Sequence, residues 1–122
     1  MNNGDAMPAV LVVDADAPTL DLLREWLADA GWRVVDEPAA APVALVLVDV
    51  PFPRRGLSPP SLRAAQVHAG VPVLALSASF HPSVEGSGEA ARALGVAGVL
   101  PKPLRREALL AAVGQLSRAR QP

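Results

Sequence analysis

The chain has 122 residues, no cysteine and a formal net charge of −1 from 11 basic and 12 acidic side chains. This size and composition suit one domain without disulfides or a structural zinc site, and the balanced charge argues against a nucleic-acid or anionic-membrane surface. No apolar run reaches the ~18 residues of a membrane span, and MNNGDAMP at the N-terminus is not a secretory signal, so we expect a cytoplasmic protein.

The first predicted strand and helix lie near the N-terminus. Residues 9–13 form a continuous apolar run, which is typical of a strand covered on both faces. In the helix that follows, Asp16 is expected to cap the first turn, Pro18 to lie within it and Gly31 to follow the last turn. An apolar stripe at helical spacing predicts the buried face: Leu20, Leu23, Leu27 and Ala30.

The rest of the chain keeps this alternation. Apolar runs predict strands at residues 32–35, 44–48, 71–76 and 96–100. Helices are predicted at residues 61–69, 89–94 and 105–118, the last with an apolar face made by Leu109, Ala112, Val113 and Leu116. This order predicts an α/β fold with a doubly wound, five-stranded parallel sheet. We expect a single domain over residues 1–122 with an ordered core at about 8–118.

The connection between the second and third strands is short. Residues 37–43, EPAAAPV, contain two prolines and no helical stripe, whereas a parallel crossover with a helix needs at least about 10–12 residues. We therefore expect this helix to be missing or reduced, with an extended strap in its place. Part of one sheet face would then lack cover, and exposed apolar surface of that kind is typical of a contact site, so a homodimer is one expectation.

Four polar residues follow four of the predicted strands. They are Asp14, Asp49, Ser77 and Lys102, and ligands of doubly wound sheets bind at the carboxyl ends of the strands. Carboxylates, a hydroxyl and an ammonium suit a phosphoryl group with Mg²⁺, and one carboxylate can act as nucleophile to give an acyl phosphate. Each residue alone has a simpler explanation as a cap, a turn residue or a solvated loop charge. Their joint placement favours one shared site.

The stretches VLVVDADAP, LVLVDVPFP, VPVLALSAS and GVAGVLPKPL resemble the receiver domain of two-component response regulators over about residues 8–118. The resemblance implies the flavodoxin-like strand order 2-1-3-4-5 and a phospho-acceptor at Asp49, with Ser77 and Lys102 holding the phosphoryl oxygens. It also implies a cis bond between Lys102 and Pro103. The implied metal is Mg²⁺, held by Asp14, Asp49 and the Pro51 backbone carbonyl.

Several positions depart from the family pattern. Ala15 takes the place of a second acidic residue, so the site has about one negative charge fewer and is expected to bind Mg²⁺ weakly. Asp16, one step further on, is interpreted as the helix cap. Val99 takes the place of the family's switch aromatic and is short and stiff, which indicates weak or different coupling.

Charged loop residues close to the predicted pocket have two interpretations. Arg54 and Arg55 could draw an anion to the site, and His81 could lie near it. Solvated surface positions are the commoner explanation for all three.

Three functions remain. In the first, a sensor histidine kinase or phosphotransfer protein passes a phosphoryl group to Asp49, and a downstream protein binds the face of the fourth helix, fifth strand and fifth helix. Any enzymatic activity would be limited to self-phosphorylation and autodephosphorylation. The second is a degenerate pseudo-receiver that acts as a phosphorylation-independent protein-interaction module, favoured by Ala15 and Val99. The third is an unrelated flavodoxin-like binding protein. The sequence has no glycine loop for phosphate after the first strand, which argues against a nucleotide or flavin ligand.

Overall fold

A computed structural model of the chain describes residues 8–13, 15–35, 43–50, 57, 59, 61–63, 70–78, 92 and 94–120, with backbone alone for 118–120. Residues 61–63, 92 and 94 are helical, within two of the predicted helices. The bounded elements in chain order are β1 Ala9–Val13, α1 Ala17–Asp29, β2 Arg33–Val35, β3 Leu45–Asp49, β4 Val73–Ser77, β5 Gly98–Pro101 and α2 Arg106–Arg120.

The five strands form one parallel sheet in the order β2-β1-β3-β4-β5. This confirms the predicted fold class and the strand order that the resemblance implies. Asp49 is in register with Leu76, and Ser77 with Pro101. Because all strands run in the same direction, their carboxyl ends meet at one edge of the sheet.

Apolar strand residues alternate between two cores, one on each face of the sheet. On one face, strand residues such as Leu45 and Leu74 pack with four fully buried helix residues: Leu23 and Leu27 of α1, and Leu109 and Val113 of α2. The opposite face carries shorter side chains, among them Val46, Ala75 and Val99. Burial on both faces explains why the strands are continuous apolar runs rather than alternating ones.

The prediction of an uncovered sheet face is wrong for β1, β3 and β4. On the face that α1 and α2 do not cover, Leu11, Val46 and Val48 are all 0% exposed. Partly buried residues from outside the strands pack against this face: Leu57, Val71, Leu94 and Val96. The argument for a homodimer through a bare face therefore falls away. The predicted strap lies outside the described residues, apart from the buried Val43.

Helix α1 confirms most of the predicted amphipathic pattern. Leu23 and Leu27 are buried and Leu20 is half-buried, as the stripe predicts. Ala30 is exposed instead, because the helix ends at Asp29 and Ala30 is the C-cap residue. Gly31 follows with a φ of +91°, the left-handed conformation that terminates many helices.

Helix α2 closes the same core. Leu109 and Val113 are buried, and Ala112 and Leu116 are half-buried, so its predicted apolar face is confirmed. Arg106 of α2 also lies 3.5 Å from the Asp29 carboxylate at the end of α1. None of the described helices has the length and apolar character needed to cross a membrane.

Candidate functional site

Three of the predicted site residues lie at the carboxyl-terminal edge of the sheet. Asp49 is the last residue of β3, Ser77 is the last residue of β4, and Lys102 directly follows β5. Asp14 and Pro51, predicted as metal ligands, lie outside the described residues, as do the loop residues Arg54, Arg55 and His81.

Lys102 and Asp49 form a direct ion pair. Lys102 Nζ donates a hydrogen bond of 2.7 Å to Asp49 Oδ2, and the two side chains are 22% and 11% exposed. A bond between two full charges at this distance is among the stronger hydrogen bonds in proteins. The prediction that these two residues meet is therefore confirmed in geometry.

Ser77 lies beside this pair and is 0% exposed. Its main-chain carbonyl accepts a hydrogen bond of 3.0 Å from the Lys102 backbone N–H. This bond ties the start of the loop after β5 to the end of β4 and helps to fix the position of Lys102. The peptide bond between Lys102 and Pro103 is cis, as the resemblance implies.

Asp16 also reaches the site, which the sequence analysis did not predict. Its Oδ1 lies 3.9 Å from Lys102 Nζ, and its side chain is 57% exposed. The residue does occupy the N-cap position, and its carbonyl accepts a bond of 2.9 Å from the Leu20 N–H, but its side chain makes no capping hydrogen bond. The prediction that Asp16 is the cap residue of α1 is therefore confirmed in position, and the same carboxylate also faces Lys102.

The carboxyl of Asp16 is biased towards its charged form. A hydrogen bond with the Thr19 side chain is the largest cause that lowers its pKa from the ordinary value, and the positive charge of Lys102 adds a smaller effect. Hydrogen bonds to the ionised form favour that form. Asp16 therefore presents a negative charge to Lys102.

Ala15 and Val99, the two departures from the receiver pattern, both pack against apolar side chains. Ala15 is half-buried and packs against the core that α1 and α2 cover. At this position the chain therefore makes an apolar contact and has no second carboxylate. Val99 is 1% exposed and belongs to the core of the opposite face. Its side chain fills part of that core.

Lys102 is the only lysine of the sequence. The other ten of the 11 basic residues are arginines. Arginine and lysine serve equally well as solvated surface charges, but they differ as ligands, because lysine presents a compact point charge. The position of the single lysine beside a part-buried carboxylate argues against the interpretation of Lys102 as a solvated loop charge. This compositional signal was available in the sequence and was missed.

The described residues offer a hard cation few ligands. They contain no group of three or more His, Cys, Asp or Glu able to hold a metal. Within the described part of the chain, Asp49 and Asp16 are the carboxylates near Lys102, and the ammonium already binds Oδ2 of Asp49. Mg²⁺ prefers several oxygen ligands in octahedral geometry. Among these residues, the second oxygen of Asp49 fits as one ligand of such an ion.

No family model and no curated protein sequence matches the chain. Among solved structures, it is similar to a response regulator receiver protein from Sinorhizobium medicae, with 25% identity, a TM-score of 0.68 and coverage of 93% of this chain and 97% of that chain. The fold is that of a receiver domain.

Two further solved structures of receiver domains are similar to the chain. A CheY-like response regulator receiver domain protein from Methanospirillum hungatei has 17% identity, a TM-score of 0.72 and coverage of 93% of this chain and 96% of that chain. The signal receiver domain of an HD domain-containing protein from Pseudomonas fluorescens has 20% identity, a TM-score of 0.70 and the same coverage of 93% and 96%. The receiver fold thus extends over nearly the whole chain.

Proposed function

We propose that this chain accepts a phosphoryl group on Asp49 in two-component phosphorelay signalling, with Lys102 and Ser77 as ligands of the phosphoryl oxygens. The observation that carries the proposal is the 2.7 Å bond between Lys102 Nζ and Asp49 Oδ2 at the strand-end edge of the sheet. The buried Ser77 ends the neighbouring strand. A nucleophilic carboxylate, a fixed cation and a hydroxyl donor are the groups that phosphoryl transfer to an aspartate requires.

The transfer can be written atom by atom. A carboxylate oxygen of Asp49 forms a bond to phosphorus as the P–N bond of a donor phosphohistidine breaks, and the imidazole leaves with the electron pair and takes up a proton. The product is an acyl phosphate on Asp49. Lys102 is already within hydrogen-bond distance of this carboxylate, so it can follow the negative charge as that charge moves onto the phosphoryl oxygens.

Mg²⁺ is proposed as a weakly held cofactor. Its ligands would be Asp14, Asp49 and the Pro51 carbonyl, and when bound it would neutralise charge on the phosphoryl oxygens. Ala15 supplies no carboxylate and makes apolar contacts instead. Hard cations bind through charge and ligand number, so the affinity should be lower than in a site with one more acid.

The proposed donors are a sensor histidine kinase or a phosphotransfer protein. The proposed output goes to a downstream protein through the face that comprises the helical residues 92 and 94, strand β5 and helix α2. Arg105, Arg106 and Glu107 lie exposed around the start of α2. Such a relay would place the protein in the cytoplasm.

The second candidate function is a pseudo-receiver that binds a protein partner without phosphorylation. Ala15, packed against apolar side chains, and Val99, buried in the other core, favour it because the metal site and the aromatic switch are both altered. The retained Asp49–Lys102 pair opposes it, since a module that needs only its surface has no need of a part-buried ion pair.

Incubation with acetyl phosphate separates the two functions. The intact mass of the protein is measured over a rising Mg²⁺ concentration, with Asp49→Asn as the matched variant that lacks the nucleophile. A phosphoryl mass on the wild type alone, with half-saturation at high Mg²⁺, supports the receiver. No added mass at the highest Mg²⁺ concentration favours the pseudo-receiver.

A further inference from the structure

The ammonium of Lys102 lies between two carboxylates on different elements. It is 2.7 Å from Oδ2 of Asp49, at the end of β3, and 3.9 Å from Oδ1 of Asp16, at the start of α1. Asp49 is mostly buried, whereas Asp16 is 57% exposed. One side chain therefore connects the sheet edge to the first turn of α1.

The carboxylate of Asp16 forms a hydrogen bond with the Thr19 side chain and also faces Lys102. The main-chain carbonyl of Asp16 accepts the bond from Leu20 that begins the helix, while the side chain makes no capping bond. Pro18, in the second helical position, has no N–H, so Thr19 in the third position is the remaining backbone donor for a capping bond. Ala15, the residue before Asp16, packs against the core. The chain therefore directs an apolar side chain inward at position 15 and leaves the charge of Asp16 at the edge of the site.

We infer that Asp16 is a positioning residue for Lys102 and competes for its ammonium with the phosphoryl group on Asp49. The competition rests on the proposed function, and the positioning does not. A phosphoryl group adds negative charge next to Lys102, and a fixed carboxylate 3.9 Å from the same ammonium opposes that addition through like-charge repulsion. For a part-exposed pair, removal of the carboxylate charge should stabilise the acyl phosphate up to about fivefold.

The first experiment tests positioning in the unphosphorylated protein. Because the chain has a single lysine, a ¹³C,¹⁵N spectrum selective for lysine side chains reports Lys102 alone. In Asp16→Asn, the Nζ resonance should shift and the ammonium protons should exchange faster with water. The matched control is Asp21→Asn, which removes an exposed carboxylate from the same helix. Spectra of Asp16→Asn and Asp21→Asn that both match the wild type would overturn the positioning.

The second experiment tests competition with the phosphoryl group. After loading with acetyl phosphate, the acyl phosphate of Asp16→Asn should survive up to about five times longer than that of the wild type or Asp21→Asn. An equal or shorter lifetime would overturn the competition, and a lower Mg²⁺ affinity in Asp16→Asn would assign Asp16 to the metal instead. Failure of the wild type to load would refute the proposed function and the competition, while the lysine spectrum still decides the positioning.

Discussion

Lys102 donates its hydrogen bond to Asp49 from 53 residues away in the sequence, at a distance of 2.7 Å. The parallel register brings them together, because β3 and β5 both lie next to β4 and end at the same edge. Their side chains are only 22% and 11% exposed. Loss of one partner leaves the other charge partly buried without compensation.

We expect Lys102→Met to destabilise the fold. The unpaired Asp49 carboxylate should lower the free energy of unfolding by about 1–3 kcal/mol, measured by urea denaturation at neutral pH. Arg105→Met, which removes an exposed positive charge three residues later, should change it by less than about 0.5 kcal/mol.

The double variant Asp49→Leu/Lys102→Met sharpens this prediction. Removal of both charges should cost less than Lys102→Met alone, since no buried charge remains unpaired. A double variant that loses the sum of the two single effects would show that the pair is not coupled.

Leu109→Ala should test the core that α2 closes. Leu109 is 0% exposed and packs among the apolar strand residues, so its truncation should cost about 2–5 kcal/mol in thermal or urea unfolding. Leu62 is 47% exposed, and Leu62→Ala should fall within about 0.5 kcal/mol of the wild type. Equal losses at the two positions would contradict the assignment of the core.

Gly31→Ala should isolate the effect of backbone conformation. Gly31 has a φ of +91°, and a Cβ there would meet nothing within 4 Å, so the cost comes from the left-handed backbone alone. We expect a loss of about 1–2 kcal/mol for Ala and a smaller loss for Asn, which tolerates this region better. A loss for Asn that equals or exceeds the loss for Ala would point to a different cause.

Thr19→Val should raise the pKa of Asp16 towards its ordinary value, because the hydrogen bond with the Thr19 side chain is the largest cause of the lowered pKa. A ¹³C titration of the carboxyl group measures this directly. Since the folded pKa is lowered, the contribution of Asp16 to stability is present above its ordinary pKa and is lost as the pH falls through the lowered value. In Thr19→Val that contribution should be smaller and its loss complete at a higher pH, and an unchanged titration would exclude the hydrogen bond as the cause.

Much of the fold follows from local sequence patterns. The bounds of β1 were predicted at both ends, because its apolar run is continuous. Strand β4 begins at Val73 rather than at the predicted residue 71; Pro72 before it has no N–H, although its carbonyl still accepts a bond of 3.0 Å from Val46. Ser77 belongs to β4 because it pairs in register with Pro101, which sequence alone does not show.

Two features that the sequence did not predict have a common physical origin in long-range packing. Residues such as Leu57 and Leu94, which are distant in sequence, pack against the core that contains Leu11 and Val46, so a short crossover after β2 did not predict the burial of this core. The contact of Asp16 with Lys102 was not predicted, because an acidic cap residue has the same local pattern whether or not it also pairs with a distant lysine. Only the position of Lys102 relative to α1 distinguishes the two.

The central claim is that Asp49 is the phospho-acceptor. Reduction of an acyl phosphate by borohydride converts the aspartate that carries it to homoserine, which peptide mass spectrometry locates. After treatment with acetyl phosphate and Mg²⁺, we expect homoserine at position 49 alone, and none in Asp49→Asn. Homoserine at another acidic residue, or at none in the wild type, would contradict the account.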